Sequence, residues 1–427
     1  PVKLVNGVTR LIPFIFSTAQ SYMLEFGELY IRFFTQEGRL TQSDTITGIT
    51  QANPAVVTAG AHGFINGMVV TISGVVGMTQ INGTTALTAN VAANTFELAG
   101  VDSSAYTAYA SGGTATAIYE IVSPYPAAAV SELYTCQSAD TLYIAHPDYK
   151  PYQLVRQSTG FFTIAAISFT DGPYLNAAVA NTGAPSAITL TLSAAGPGAV
   201  TCTASSALFA STDVGRQLRF FVTTWGWGTI TAFASSTSVT LTVAVAGGGT
   251  AIGLVWRLGA WSDTQGWPAC NVFHENRLWW AGALGAPQRA DGSNSSDYLN
   301  MTPTAVAGTV LATHAVTADI SSGDINQIVW MVSNQKGLQC GSLGAEFVVT
   351  PGATSDFIKP DSVFARRHSS YGSAAVKPAT AGRATIYVER ASLKVREMMY
   401  FFSIDGFESE DMTILNPEVT LSGINQM

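Results

Sequence analysis

The sequence predicts a mainly β protein: a β-propeller-like core, discontinuous in sequence, carrying two inserted small β-barrel or sandwich domains. Three observations lead there. The chain of 427 residues holds 40 glycines and is rich in Thr, Ser, Ala and Val, a composition that favours strands and turns over helices. Short apolar strands paired through tight polar turns recur along it. Two long stretches with their own strand alternation interrupt that recurrence.

The recurring unit is first met as "SYMLEFGELYIRFF" from Ser21 and again as "TLYIAHPDYKPYQLVR" from Thr141. It returns as "RLWWAGALGAPQRADGS" from Arg277, "GLQCGSLGAEFVV" from Gly337 and "ATIYVERASLKVREM" from Ala384. Strand, turn with Gly, Pro or Asp, strand is the signature of a hairpin. With two segments set aside, most of these units recur at roughly 45–50 residues, the period of a propeller blade. The expected division is therefore a core of residues 1–44, 118–171 and 259–427, with inserts at 45–117 and 172–258. The first insert carries Asn66–Gly67 and Asn82–Gly83 beside alternating strand residues, which reads as hairpin turns. The second carries "AITLTLSAAG", "RQLRFFVTTWGWGTITAF" and "SVTLTVAVAGGG". Each reads as a small β domain of five or six strands. One short helix is expected around Ala127 to Leu133.

Charged residues make up 11% of the chain and the formal net charge is −8. Without a Lys/Arg block, a phosphate-gripping protein is disfavoured, whereas so few charges suit a surface that neighbouring copies cover. The cysteines (Cys136, Cys202, Cys270, Cys340) are scattered and read as reduced, mostly buried thiols. No stretch reads as a secretory signal or a membrane-spanning helix.

"FHENRLWWAG", Phe273 to Gly282, places His274, Glu275, Asn276 and Arg277 in succession. A zincin would need a second histidine four residues on, where Leu278 stands. The histidines (His62, His146, His274, His314, His368) never fall within five residues of one another, so local metal ligation is not expected. The expected role is structural, with Trp279 and Trp280 on opposite strand faces. No P-loop, dinucleotide fingerprint or nucleophile elbow is present. "DGFESED", Asp405 to Asp411, reads as a solvated loop rather than a calcium site. "WSDTQGW", Trp261 to Trp267, resembles a loosened Asp-box, a turn-pinning motif of sialidase-type propellers. No catalytic, cofactor-binding or metal-binding residue is assigned, and no cofactor is expected.

Three segments carry a family resemblance. "QSADTLYIAHPDYKPYQLVR" (Gln137 to Arg156), "FHENRLWWAG" with Pro287 and Gln288, and "RRHSSYGSAAVKP" (Arg366 to Pro378) with "KVREM" resemble, in order and spacing, the tail nozzle proteins of short-tailed bacteriophages, also called tail tubular protein B. The first insert separately resembles a β module named after a domain of ubiquitin-activating enzymes. It holds no cysteine, so ubiquitin chemistry does not follow. The nozzle resemblance implies a non-enzymatic virion component, assembled in the host cytoplasm as a homo-hexamer below the portal and adaptor. Tail fibres or spikes would be further partners, and DNA would pass without sequence-specific binding. The alternative is a carbohydrate- or host-receptor-binding β protein, with Trp225 and Trp227 of "TTWGWG" as a stacking platform.

Overall fold

A computed structural model describes residues 8–17, 20–35, 38–157, 161–176, 187–320, 326–353 and 355–427. The architecture is almost wholly β, as expected, and among the described residues the strands fall into five small antiparallel sheets, one closed barrel and one seven-stranded sheet. The chain divides into two compact units: Pro1–Glu132, Gln137–Leu142 and Leu154–Ile164 form the first, and Leu133–Cys136, Tyr143–Gln153 and Ala165–Met427 the second.

In the first unit, strands Arg10–Ile15, Ser21–Gly27, Tyr30–Thr35 and Glu120–Val122 lie in that order across one sheet. Glu25, Arg32 and Glu120 stand side by side across three of these strands. Arg32 bonds Glu120 at 3.0 Å and lies 3.9 Å from Glu25, so the buried cation is flanked by carboxylates on both sides. Between the third and fourth strands the chain builds a closed barrel from Thr41–Ile49, Ala55–Ala59, Val69–Val76, Thr85–Ala89, Thr95–Leu98 and Ser111–Ile118. Its interior is the inward half of each alternating strand, with Val57, Val70, Ile72, Phe96 and Leu98 fully buried. The two Asn-Gly pairs act differently. Gly67 and Gly83 both have positive φ, but only Asn82–Gly83 joins strands that pair, Val69–Val76 and Thr85–Ala89. The Asn82 side chain holds that connection by accepting from the Val75 N–H at 2.8 Å and donating to its carbonyl at 2.9 Å.

The second sheet runs Tyr134–Ser138, Thr141–His146, Tyr149–Arg156 and Phe162–Ala166 in chain order. The expected helix before it is only a 3-10 turn, Val130–Glu132, since the segment has no room for the turns a stable α-helix needs.

The second unit holds three more four-stranded meanders: Cys270–His274 to Val316–Asp319, Ile328–Asn334 to Phe364–Ser369, and Ala379–Ala381 to Gly406–Asp411. All five quoted hairpins are the central pair of their sheets, which is the four-stranded pattern of propeller blades. "DGFESED" is not a loop: Gly406–Asp411 is the outer strand of the last meander, with Phe407 and Ser409 turned inward. One core runs through these sheets, including Trp279, Trp280 and Trp330, all fully buried. Each such ring removes ~150–250 Å² from water, worth roughly 4–6 kcal/mol gross as an upper estimate. The seven-stranded sheet, one or two strands larger than expected, has its own core around Leu218, Phe220, Leu241 and Trp256. No helix of the described residues is long and apolar enough to cross a membrane.

Candidate functional site

The residues that looked most like chemistry are the first to locate. Glu275 and Asn276, with φ of 48° and 58°, form the two-residue turn between strands Cys270–His274 and Arg277–Ala283. Consecutive positive φ values are what a type I′ hairpin requires. His274 bonds Ser333 through Nδ1 at 2.9 Å, and Glu275 accepts the Ile358 N–H at 2.7 Å. Arg277 donates to the carbonyls of Ser293 (2.6 Å), His314 (2.6 Å) and Ala312 (2.5 Å). The cluster therefore ties neighbouring strands and the 312–314 loop together. Burial lowers the His274 pKa and outweighs the opposing effect of Glu275, so the ring is neutral at pH 7. Trp279 lies over Gly292 and donates to the His274 carbonyl, while Trp280 meets Phe169 and Trp261 on the other face.

The remaining histidines stay apart. Those at His62, His146 and His314 accept from backbone N–H groups two or three residues away, closing local turns. His368 lies against Phe407. Among the described residues no group of three or more His, Cys, Asp or Glu is placed to hold a metal ion. In "WSDTQGW", Ser262 Oγ accepts the Thr264 and Gln265 N–H groups and Asp263 accepts the Trp267 indole N–H at 2.9 Å. It pins a turn. Burial raises all four cysteine pKa values, Cys202 and Cys340 to about 12, so these thiols are poor nucleophiles.

Sequence reasoning missed a cluster that the tertiary structure creates. Strand Gln217–Phe221 lies between Trp225–Ser235 and Trp256–Leu258. Leu218 and Phe220 enter the core, so Arg219 projects from the opposite face, directly across from Arg257. Trp225 joins them, its ring 4.7 Å from the Arg219 guanidinium and 5.9 Å from that of Arg257. Arg219 lies 3.7 Å from Asp171 and donates to Thr304 Oγ1 at 2.7 Å. Arg289 grips Asp291 through Nε and Nη2 at 2.7–3.1 Å. Burial raises the Asp291 and Asp171 pKa values, and the paired arginines oppose that rise. Beside this network lies a cavity of about 380 Å³ walled by Arg257, Tyr174, Asn176, Asp291, Thr304 and Thr317 among others. The only sequence signal was parity. Arg219 and Arg257 each sit between two apolar core residues, in "LRF" and "WRL".

Trp225 and Trp227 are both half-buried. Trp227 faces Arg219 in register, and Trp225 packs edge-on against Phe221 at 5.4 Å. Neither is the open platform that a bare stacking surface would need.

Comparison with known proteins adds one family match. Residues 52–118 match the ubiquitin-activating enzyme E1 FCCH domain, which covers the barrel strands from Ala55 onward and agrees with the resemblance read from the first insert. No curated protein matches the chain. Among solved structures, a protein from Lactobacillus plantarum aligns at 13% identity over 65% of this chain and 64% of that one, with a TM-score of 0.23. The chain thus spans less than two thirds of that structure's length. The phage phi92 endosialidase aligns at 12% identity over 95% of this chain and 74% of that one, with a TM-score of 0.20. Scores this low carry no argument about function.

Proposed function

We propose that this chain is a structural subunit of the tail nozzle of a short-tailed bacteriophage, six copies forming a ring around the DNA exit channel below the portal and adaptor. In this reading residues 1–44, 118–171 and 259–427 are the ring-forming core and the inserts at 45–117 and 172–258 are decorations. The protein belongs to the virion tail and performs no catalysis. The observation that supports assembly most directly is the segment 402–421. Phe402 (88% exposed), Leu415 (95%) and Val419 (75%) stand in solvent together with Ile404, Ile414 and Leu421. Phe402 and Ile404 stand at the tip of the hairpin formed by Val395–Phe401 and Gly406–Asp411, and the other four follow its opposite end. Exposed apolar groups of this kind suit interaction surfaces, and they belong to a chain with only 11% charged residues. The nozzle motifs support the same reading, because His274, Glu275 and Arg277 all have scaffold roles.

Mass photometry of the full chain, with electron microscopy of virions labelled by an antibody to it, tests this. The expected results are a hexamer-sized species and label at the tail below the portal. Label confined to receptor-binding appendages would overturn the proposal. A second reading, binding of a carbohydrate or host receptor, is favoured by the arginine cluster beside Trp225. It predicts glycan binding that Trp225→Ala weakens through loss of the ring beside Arg257.

A further inference from the structure

Arg219 and Arg257 occupy directly opposed positions on adjacent antiparallel strands. Facing residues in such a ladder have Cβ atoms ~4.5–5.5 Å apart, and like charges there are destabilising. Arg219 offsets its charge with Asp171 and Arg289 does so with Asp291. Among the described residues no carboxylate lies within ion-pair distance of Arg257. Its pKa is lowered by burial first and then by Arg219 and Arg289. A guanidinium does not shed its proton inside a protein, so this half-buried cation persists between two others and faces a cavity. At about 380 Å³, that cavity has the size of a small-molecule site. Asn176, Thr304 and Thr317 give it amide and hydroxyl groups, while Met301 and Val316 give it apolar wall.

We infer that this cleft binds one carboxylate carried on a sugar, with Arg257 as its anchor. The planar fork of a guanidinium matches a carboxylate through two parallel hydrogen bonds. The pairing favours a monoanion: Asp171 and Asp291 already occupy Arg219 and Arg289, which leaves Arg257 as the one guanidinium of the three whose fork is open to a ligand carboxylate. Asp361, on the cavity wall and 3.4 Å from Lys359, and Asp319, held by Asn176 at 2.5 Å, oppose any further negative charge. The hydroxyl and amide groups suit ring hydroxyls, and the apolar wall suits the C–H faces of a sugar. This deepens the second reading above. Its failure leaves the ring proposal untouched, because that one is read from particle mass and virion labelling.

The experiment is isothermal titration of the full chain with D-glucuronate, D-glucose and glucose 6-phosphate. Saturable glucuronate binding is expected, weakened by added salt, with glucose inactive and the phosphate about tenfold weaker. Arg257→Gln should weaken glucuronate about tenfold or more, with an unchanged circular dichroism spectrum, and Arg257→Lys should restore only part of the loss. Equal binding of glucose and glucuronate would overturn the inference, as would glucuronate affinity unchanged in R257Q. So would the phosphate sugar, or a DNA oligonucleotide, binding more tightly than glucuronate in an Arg257-dependent way.

Discussion

Gly341 lies on the central strand Gly337–Ser342, directly opposite Trp330 on the neighbouring strand. A Cβ at this position would come 2.1 Å from Trp330 Cε2 and 2.4 Å from its Cζ2 and Nε1. Ordinary carbon contacts begin at roughly 3.5 Å, so the ring would have to retreat by more than an ångström. It has nowhere to go, being fully buried with Tyr387 at 5.6 Å. In an unstrained site Gly→Ala stabilises by ~0.4–1 kcal/mol through the unfolded chain. Overpacking costs ~1–3 kcal/mol, so Gly341→Ala should lose about 1–2 kcal/mol net. Trp330→Leu alone should cost about 3 kcal/mol through the cavity it leaves. In that background Gly341→Ala should become neutral or mildly stabilising, a coupling of about 2 kcal/mol. Native-state hydrogen exchange of the amides in 328–334 and 337–342 measures the local opening free energy without assuming that the whole chain unfolds in one step. The same cost for Gly341→Ala in both backgrounds would refute the reasoning.

Arg277→Gln removes the guanidinium that holds four carbonyls and should cost about 3 kcal/mol, read as faster proteolysis within the 300–315 loop. Burial lowers the pKa of His274, His314 and His368. The unfolded chain therefore binds more protons near pH 6, so stability is full above the ordinary histidine value of ~6.5 and falls as pH drops through the lower folded values. Melting temperature should decline between pH 7.5 and 5.5, and less steeply in His274→Gln; equal slopes would remove His274 from the account. The buried thiols at Cys202, Cys270 and Cys340 should react with a thiol reagent only at the rate of unfolding, and fast labelling of the native protein would contradict their burial. Phe402→Asp combined with Leu415→Asp should abolish the hexamer-sized species while leaving the circular dichroism spectrum intact; a persistent hexamer would place the subunit contact elsewhere.

Five central hairpins were legible in the sequence because each is local: alternating strands, a few turn residues, then the antiparallel partner. The outer strands were harder. Glu120–Val122 has only three residues and reaches its sheet after the whole barrel has intervened. Phe364–Ser369 is half-exposed along its length and shows no apolar alternation. "DGFESED" reads as a loop because its acidic residues mask the inward Phe407 and Ser409. Asn66–Gly67 carries a hairpin signature without being one, since the strands flanking it each pair elsewhere. For Glu120–Val122 a partner distant in sequence supplied the hydrogen bonds that made the strand, whereas Gly406–Asp411 pairs locally with Val395–Phe401 and was hidden only by its composition.

The sequence by itself determined the β class, the five hairpins, the likeness of the first insert to a known module and the failure of His274 to meet any metal spacing. These are properties of composition and of period, and both act over a few residues. The tertiary structure alone decided the environment of Arg257. Arg219, Arg257 and Arg289 are far apart in the chain, and only strand register sets Arg257 opposite Arg219, while only packing adds Arg289. Coulombic interaction depends on separation in space. One unmatched charge beside a cavity is therefore invisible until the sheet is formed.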